Sequence, residues 1–232
     1  MSAAPRHTAE EIEALRLIDS PTLSNAVEAF GTRPRCAGYA GRQLRCAFPE
    51  LGTLVGYAVT CTADSTTEGR SGGRGLLQLW EALEAAPKPA VLVIKDIGPE
   101  PFRSCHMGEV MATTAHVLGA VGCVTDGGLR DVLEVKALAA FHYFCPGFVV
   151  SHGNPLIVDI GVEVNIFGMA VAPGDLLHGD INGLLTVPEI PIVDLLHQVQ
   201  RVRDTERELI DFVRRPGFTV AHLAERQRQF AH

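Results

Sequence analysis

None of the six cysteines stands in a CxxC pair, and no tight group of Cys and His marks a structural zinc site. Scattered thiols of this kind fit a reducing cytoplasm. Residues 1–15, MSAAPRHTAEEIEAL, lack the apolar stretch of a secretory signal, and no apolar run approaches the length of a membrane span. GxxxxGK[ST] is missing, no GxGxxG follows a strand, and no GxSxG elbow is present. These absences leave no fingerprint for a Walker-type nucleotide site, a dinucleotide fold or a serine hydrolase. The histidines show neither HxH nor HExxH spacing, which excludes a histidine-rich zinc centre. Formal net charge is −7 with no long basic run, so sequence-independent binding of nucleic acid is excluded as a function class.

What is present is an ordinary globular mixture, 47% apolar and 20% charged over 232 residues, long enough to bury a substantial core. Residues 8–19 predict a helix capped by Thr8, with Glu11 completing a capping box. A second helix starts at Ser20-Pro21 and ends at Gly31. Residues 31–45 read as an irregular connection. LVGYAVTCTA then predicts a strand, followed by the polar loop DSTTEGRSGGRG. In that loop Gly72-Gly73 reads either as a phosphate cradle or as a flexible surface or subunit-contact loop. LLQLWEALEAA predicts an amphipathic helix and AVLVIKD a buried strand. After these come a helix from Gly108, a strand at 121–126, a helix from Arg130 to about Ala140 and a strand around residues 148–151. This alternation argues for parallel strands in an α/β layer. Residues 157–188 are strand-rich with two turns, and a long helix follows, striped by Leu195, Val199, Val202, Leu209 and Val213. Glu206 interrupts that stripe.

The stretch 108–134 carries the chemistry. Gly108 removes a Cβ at a helix start, where unpaired N–H groups attract an anion. Glu109 in the first turn is either functional or a complement to the helix dipole. Val110, Met111, Thr114, Val117 and Leu118 are spaced to bury one helix face. The turn Asp126-Gly127-Gly128 leads from a strand into Arg130-Asp131, and such carboxyl-end turns gather ligands in α/β sheets. Arginine matches a carboxylate with two hydrogen bonds, and carboxylates suit Mg²⁺ or Mn²⁺. The competing reading is a surface cap, with Asp131 capping and Arg130–Glu134 as an i,i+4 pair. His116 reads as structural. His152, after a strand and before a turn, reads as a substrate contact.

GEVMATTA…VGCVTDGGLRDVLE, with Arg-Asp two residues after a DGG turn and an acid three beyond, resembles the RraA-like family. That family includes the class II 4-hydroxy-4-methyl-2-oxoglutarate / 4-carboxy-4-hydroxy-2-oxoadipate aldolases. LIDSPTLSNAVEAFG is similar to its N-terminal helix, with Asn25 where aspartate is usual, and VAPGDLLHGDINGLLTVP is similar to its PGD…D..G…VP segment. The resemblance implies an α/β (α+β) fold of the swivelling β/β/α type. One domain would span residues 1–232, with N-terminal helices at 8–31, a core at about 51–190 and a C-terminal helix at about 192–215. It also implies a homotrimer or hexamer with sites between subunits.

By position, the backbone of Gly108, Glu109, Val110 and Met111 would hold the substrate carboxylate. Arg130 would bind substrate, Asp131 would ligate Mg²⁺ or Mn²⁺ directly, and Glu109 would act through water. Glu134 is the closing acid of the motif, and Glu206 is the candidate acid from a neighbouring subunit. The activity implied is cleavage of a 4-hydroxy-2-oxo acid to pyruvate, with oxaloacetate decarboxylation on the side. A non-catalytic, ribonuclease-regulating protein and an isomerase or hydratase are the alternatives. Ser151-His152-Gly153 departs from the family, in which many members carry arginine before that glycine. This places His152 near the distal end of a substrate.

Overall fold

Two buried parallel strands are the backbone of the architecture, and both are apolar runs that end in an acid. A computed structural model describes residues 6–69 and 74–230. The Gly72-Gly73 loop lies outside these residues. In chain order the described part runs through α1 (Ala9–Arg16), α2 (Ser20–Glu28), β1 (Arg45–Cys46), β2 (Leu54–Asp64), α3 (Arg74–Ala85), β3 (Ala90–Asp96), β4 (Cys105–Met107) and α4 (Glu109–Val117). There follow β5 (Ala120–Thr125), β6 (Gly128–Leu129), α5 (Val132–Lys136), β7 (His142–Cys145), β8 (Leu156–Ile160), β9 (Val164–Ile166) and β10 (Met169–Val171). The chain closes with β11 (Leu176–Asp180), β12 (Gly183–Val187), α6 (Ile192–Val213) and α7 (Val220–Phe230).

The main sheet is ordered β1-β7-β5-β3-β2-β11-β12, with β8 also pairing β2. β2, β3, β5 and β7 run parallel, whereas β1, β8, β11 and β12 join antiparallel. The result is a mixed α/β fold with a nearly closed, barrel-like sheet flanked by helices. β2 and β3 are buried along almost their whole length because both faces are covered. One face packs Leu79, Leu83, Ala112 and Ala115 of α3 and α4 against Cys61, Leu92, Ile94 and Cys123. The opposite face is closed by the β9–β10 hairpin through Ile166, Met169 and Val171. Helices α1, α2 and α6 cover β11 and β12 through Leu15, Leu23, Leu176, Leu185 and Leu195. No helix among the described residues is long and apolar enough to cross a membrane.

Local chemistry explains the ends of elements. Thr8 and Glu11 form the expected capping box, and Asp19 caps α2 through the Thr22 N–H. Several expectations need correction. The stripe foreseen on α4 is rotated: Ala112 and Ala115 are the buried pair, while Val110 and Val117 are each 79% exposed. Small residues let α4 lie close to β5, and the larger side chains turn outward. The helix foreseen from Arg130 to Ala140 is only Val132–Lys136. Asp131 before it is left-handed, and Ala139 and Ala140 beyond it have φ of 41° and 64°, outside the helical range. Residues 148–151 form no strand; Phe148 makes a single bridge to Leu129. The strands β1, β4, β6 and β7 and the helix α7 went unforeseen.

On α6 the stripe is buried at Leu195 and Val199, but Leu209 and Val213 are exposed. Glu206 sits where α6 crosses α2, and its Oε1 accepts from Asn25 Nδ2 at 3.1 Å. That polar partner explains the interruption of the stripe. All six cysteines are free, and burial pushes the Cys61 and Cys145 thiols up to about 12.

Candidate functional site

The site is assembled by a two-strand parallel ladder that pattern reading missed. β4 and β6 pair Cys105 with Gly128 and Met107 with Leu129, and the Arg130 N–H donates to Met107 O at 3.4 Å. This ladder sets the start of α4 beside the start of α5. Asp131 stands at the N-cap of α5 with φ 56° and ψ 46°, and its side chain makes no bond to that helix. Instead it crosses to α4, where Oδ2 accepts from the Glu109 N–H at 3.1 Å and from Arg130 Nε at 3.2 Å. The capping reading is therefore not what the chain does, and no Arg130–Glu134 ion pair forms among the described residues. The Glu109 N–H foremost, and Arg130 after it, hold the Asp131 carboxyl below its ordinary value; nearby His152 contributes in the same direction.

Gly108 has extended backbone, φ −132° and ψ −165°, which any residue adopts. Its requirement is space. A Cβ there would press inside contact distance of Asp131 Oδ2 and stand 3.0 Å from Arg130 Cγ and Nε. Val110 and Met111 follow in the first turn of α4, where backbone N–H groups have no partner within the helix.

Gly108, Val110, Met111, Arg130, Asp131 and His152 line one cavity of about 640 Å³. Its remaining wall comes from β4, from Leu76 of α3, and from Pro155, Leu156 and Ile157 at the start of β8. Glu109 is exposed beside these residues, and Glu134 is exposed one turn into α5; neither lines the cavity. Glu206 lies on α6, which contributes nothing to the lining within this chain. His116 is half-buried, edge-on to Phe141 at 6.1 Å. His152 is exposed at the cavity, with Nδ1 2.8 Å from Gly153 O. Its loop is tied down by the Asn154 N–H, which donates to Ser65 O at 2.8 Å, and by Asn154 Nδ2, which donates to Thr67 O at 3.3 Å. Cys105 also lines the cavity, and burial raises its thiol above the ordinary value.

A buried polar network runs inward from His106 of β4, itself part of the lining. His106 Nε2 is 2.6 Å from Asp96 Oδ2, and both side chains are inaccessible. Asp96 Oδ1 accepts from the Gly98 N–H at 3.0 Å. The Asp96 N–H donates to Asp126 Oδ1 at 2.7 Å, and Lys95 pairs with the other oxygen of Asp126. The network fixes the Asp126-Gly127-Gly128 turn, since a Cβ on Gly127 would meet Ser104 Oγ at 2.9 Å and His106 Cδ2 at 3.0 Å. One signal was available in the sequence: the apolar runs AVLVIKD and VGCVTD each close on an aspartate at the carboxyl end of a buried strand.

Fold and site together define an α/β protein in which a helix start, an arginine and a carboxylate face one cavity. Residues 20–186 match the family described as RraA-like, Aldolase/RraA, and the chain belongs to that family. It is 30% identical over 123 residues to an uncharacterized protein of Methanocaldococcus jannaschii, covering 53% of this chain and 59% of that protein. It is 31% identical over 118 residues to a protein of Halalkalibacterium halodurans named "Putative 4-hydroxy-4-methyl-2-oxoglutarate aldolase", covering 50% and 54%. The matches thus span little more than half the length of these relatives. Among solved structures, the chain is similar to an uncharacterized protein of Pseudomonas syringae pv. tomato, with a TM-score of 0.70 and 20% identity, covering 100% of this chain and 98% of that one. It is also similar to Streptomyces coelicolor RraAS2, described as an unusual member of the RNase ES inhibitor RraA family. There the TM-score is 0.65 and the identity 24%, over 90% and 100% of the two chains.

Proposed function

We propose that the protein is a divalent-metal-dependent aldolase. It would cleave a 4-hydroxy-2-oxo acid, such as the 4-hydroxy-4-methyl-2-oxoglutarate in its relatives' name, to pyruvate and a second oxo-acid or aldehyde. Oxaloacetate decarboxylation, which yields the same pyruvate enolate, is the expected side activity. The observation that carries this reading is the Cβ-free approach of Gly108 to the Asp131 carboxylate, with Arg130 and the first turn of α4 facing the same cavity.

The donor set suits Mg²⁺ or Mn²⁺. Asp131 Oδ2 is engaged by two N–H donors, and Oδ1 accepts no hydrogen bond among the described residues. No group of three His, Cys, Asp or Glu stands ready as a cage among those residues. Mg²⁺ accepts such a site, because it keeps several waters and binds through one or two carboxylates together with substrate oxygens. A cation held by Asp131 would supply Lewis acidity at the 2-oxo acid end of the substrate. The remaining work falls to the chain. The Val110 and Met111 N–H groups meet the substrate carboxylate. The Arg130 guanidinium, with Nε held by Asp131, offers its terminal nitrogens to the same end and stabilises the charge that develops on the enolate oxygen. Glu109, at the exposed edge of the same turn, passes a proton through water to the enolate carbon.

The proposed assembly is a homotrimer or hexamer. Val110 and Val117 on α4 and Leu133 on the adjoining α5 are 79%, 79% and 75% exposed, an apolar surface that a subunit contact would cover. The decisive experiment replaces Asp131 by Asn, which tolerates the left-handed backbone and keeps the side-chain shape. Mg²⁺-dependent, EDTA-sensitive release of pyruvate from 4-hydroxy-2-oxo acids should fall by about 10²-fold or more. Full turnover in Asp131→Asn would sink the assignment. No turnover in the folded, metal-supplied wild type would turn the reading to a non-catalytic binding protein.

A further inference from the structure

Retro-aldol cleavage needs two proton transfers. One adds a proton to the enolate carbon, the task that falls to Glu109 and its water on the proposed function. The other removes the proton of the 4-hydroxyl as that oxygen becomes a carbonyl, and it needs a base beyond the bond that breaks.

His106 is placed for that work. It stands in β4 two residues before Gly108, and both residues line the cavity. Two residues of strand span roughly 6–7 Å, comparable to the reach from a C1 carboxylate on the head-group wall to a hydroxyl on C4. The imidazole is held from behind, with Nε2 2.6 Å from Asp96 Oδ2 and the Asp96 side chain inaccessible. Asp96 is fixed in turn. Its Oδ1 accepts from the Gly98 N–H at 3.0 Å, and its own N–H donates to Asp126 Oδ1 at 2.7 Å. A Cβ on Gly127 would stand 3.0 Å from His106 Cδ2, so the ring is confined along that edge as well.

A carboxylate only accepts, so Nε2 carries the hydrogen and the neutral ring keeps its lone pair on Nδ1. That nitrogen makes no hydrogen bond among the described residues. It is not sealed either, because the imidazole nitrogens there that are both sealed and unpartnered are Nδ1 of His142 and Nδ1 of His178. The 1% of the His106 side chain that stays accessible therefore includes Nδ1. A histidine gripped through one nitrogen by a buried carboxylate, with the other nitrogen open beside a substrate cavity, is arranged as a general base. On taking a proton the ring becomes a cation against Asp96, which stabilises it.

We propose that His106, oriented by Asp96, takes the proton of the substrate's 4-hydroxyl, directly or through one water. This rests on the aldolase reading. The hydroxyl proton passes to Nδ1, the C4–O bond becomes a carbonyl, and the electron pair of the C3–C4 bond moves into the pyruvate enolate. The carbonyl product leaves, the water at Glu109 protonates C3, and His106 returns its proton to solvent. No further reagent is consumed.

Oxaloacetate separates the base from the head-group wall, because loss of CO₂ yields the same enolate with no hydroxyl to deprotonate. Pyruvate release with Mg²⁺ is measured from 4-hydroxy-4-methyl-2-oxoglutarate and from oxaloacetate, above the rate with metal alone and well below the melt of each variant. His106→Gln should lower kcat for the first by about 10²-fold or more and for the second by less than about threefold. Asp96→Asn, which keeps the side-chain shape, should show the same selective loss and serves if His106→Gln fails to fold. An equal fall with both substrates would make His106 a structural residue and overturn the proposal. Cleavage at the wild-type rate in folded His106→Gln would remove this step and leave the aldolase reading standing. If the wild type cleaves no 4-hydroxy-2-oxo acid, that reading falls and the step falls with it.

Discussion

Gly108→Ala isolates the central geometric claim, because the backbone there, φ −132° and ψ −165°, is open to alanine. Any effect must come from the added methyl. Built on the existing backbone, that carbon lies about 1 Å inside ordinary contact with Asp131 Oδ2. The carboxylate must swing away by a comparable distance. Its two hydrogen bonds, at 3.1 and 3.2 Å, would then lengthen past the useful range. The folded state should lose little, since the Asp131 side chain is 32% exposed and water replaces the lost donors. A loss of about 1 kcal/mol or less is expected, or about 2–4 °C in Tm for a chain of this size. Function should lose far more, because a misplacement of about 1 Å in a positioning group costs roughly 10²-fold in rate. The assay pairs calorimetric melting with Mg²⁺-dependent pyruvate release. Gly147→Ala serves as control, since a Cβ there meets nothing within 4 Å. Wild-type turnover in Gly108→Ala, or a collapse of Tm matching the loss of activity, would refute the reasoning.

Two further perturbations bear on stability. His142 is buried with Nδ1 unpartnered, and burial lowers it to about 4 from an ordinary 6.5, with Arg16 adding to the shift. Between those values the unfolded chain holds the extra proton, so stability falls as pH drops through this window, by up to about 3 kcal/mol below pH 4. His142→Leu should flatten that part of the acid limb in urea melts at pH 7, 5.5 and 4.5; parallel limbs for variant and wild type would disprove it. Asp96→Ala leaves His106 Nε2 and the Gly98 N–H without their carboxylate. It should cost about 3 kcal/mol, seen as a fall in Tm of about 6–12 °C, and a fall below 2 °C would contradict the network's structural role.

Local signals were legible in the sequence where they were self-contained. The Thr8–Glu11 box, the two apolar parallel strands and the long C-terminal helix all follow from short-range chemistry. Non-local packing was not legible. On α4, Ala112 and Ala115 face the sheet, because close helix–sheet approach selects small residues that a hydrophobicity pattern undervalues. The β4–β6 ladder is too short to show a period, yet it brings residue 108 to residue 130. Arg130-Asp131 read equally well as a cap, and only the left-handed turn at Asp131, which aims its carboxylate at α4, separates the two. The pairing of Asp96 with His106 leaves no trace in spacing.

The two walls of the cavity are anchored independently, and this bears on how the chain's relatives diverge. The head-group wall depends on contacts among residues 104–131, where a change at one position disturbs the others. The facing wall hangs on α3 and β8, whose Leu76, Leu156 and Ile157 touch none of the hydrogen bonds that hold Asp131. On the proposed function, substitutions there would change the facing wall without moving the Asp131 carboxylate or Arg130. A lineage with this arrangement would, on that reading, be able to vary a few side chains on α3 and β8 while the Asp131–Arg130 pair stays in place. Activity inferred between distant members should therefore be carried over for the oxo-acid end first, and for the rest of the molecule only after that second wall has been compared.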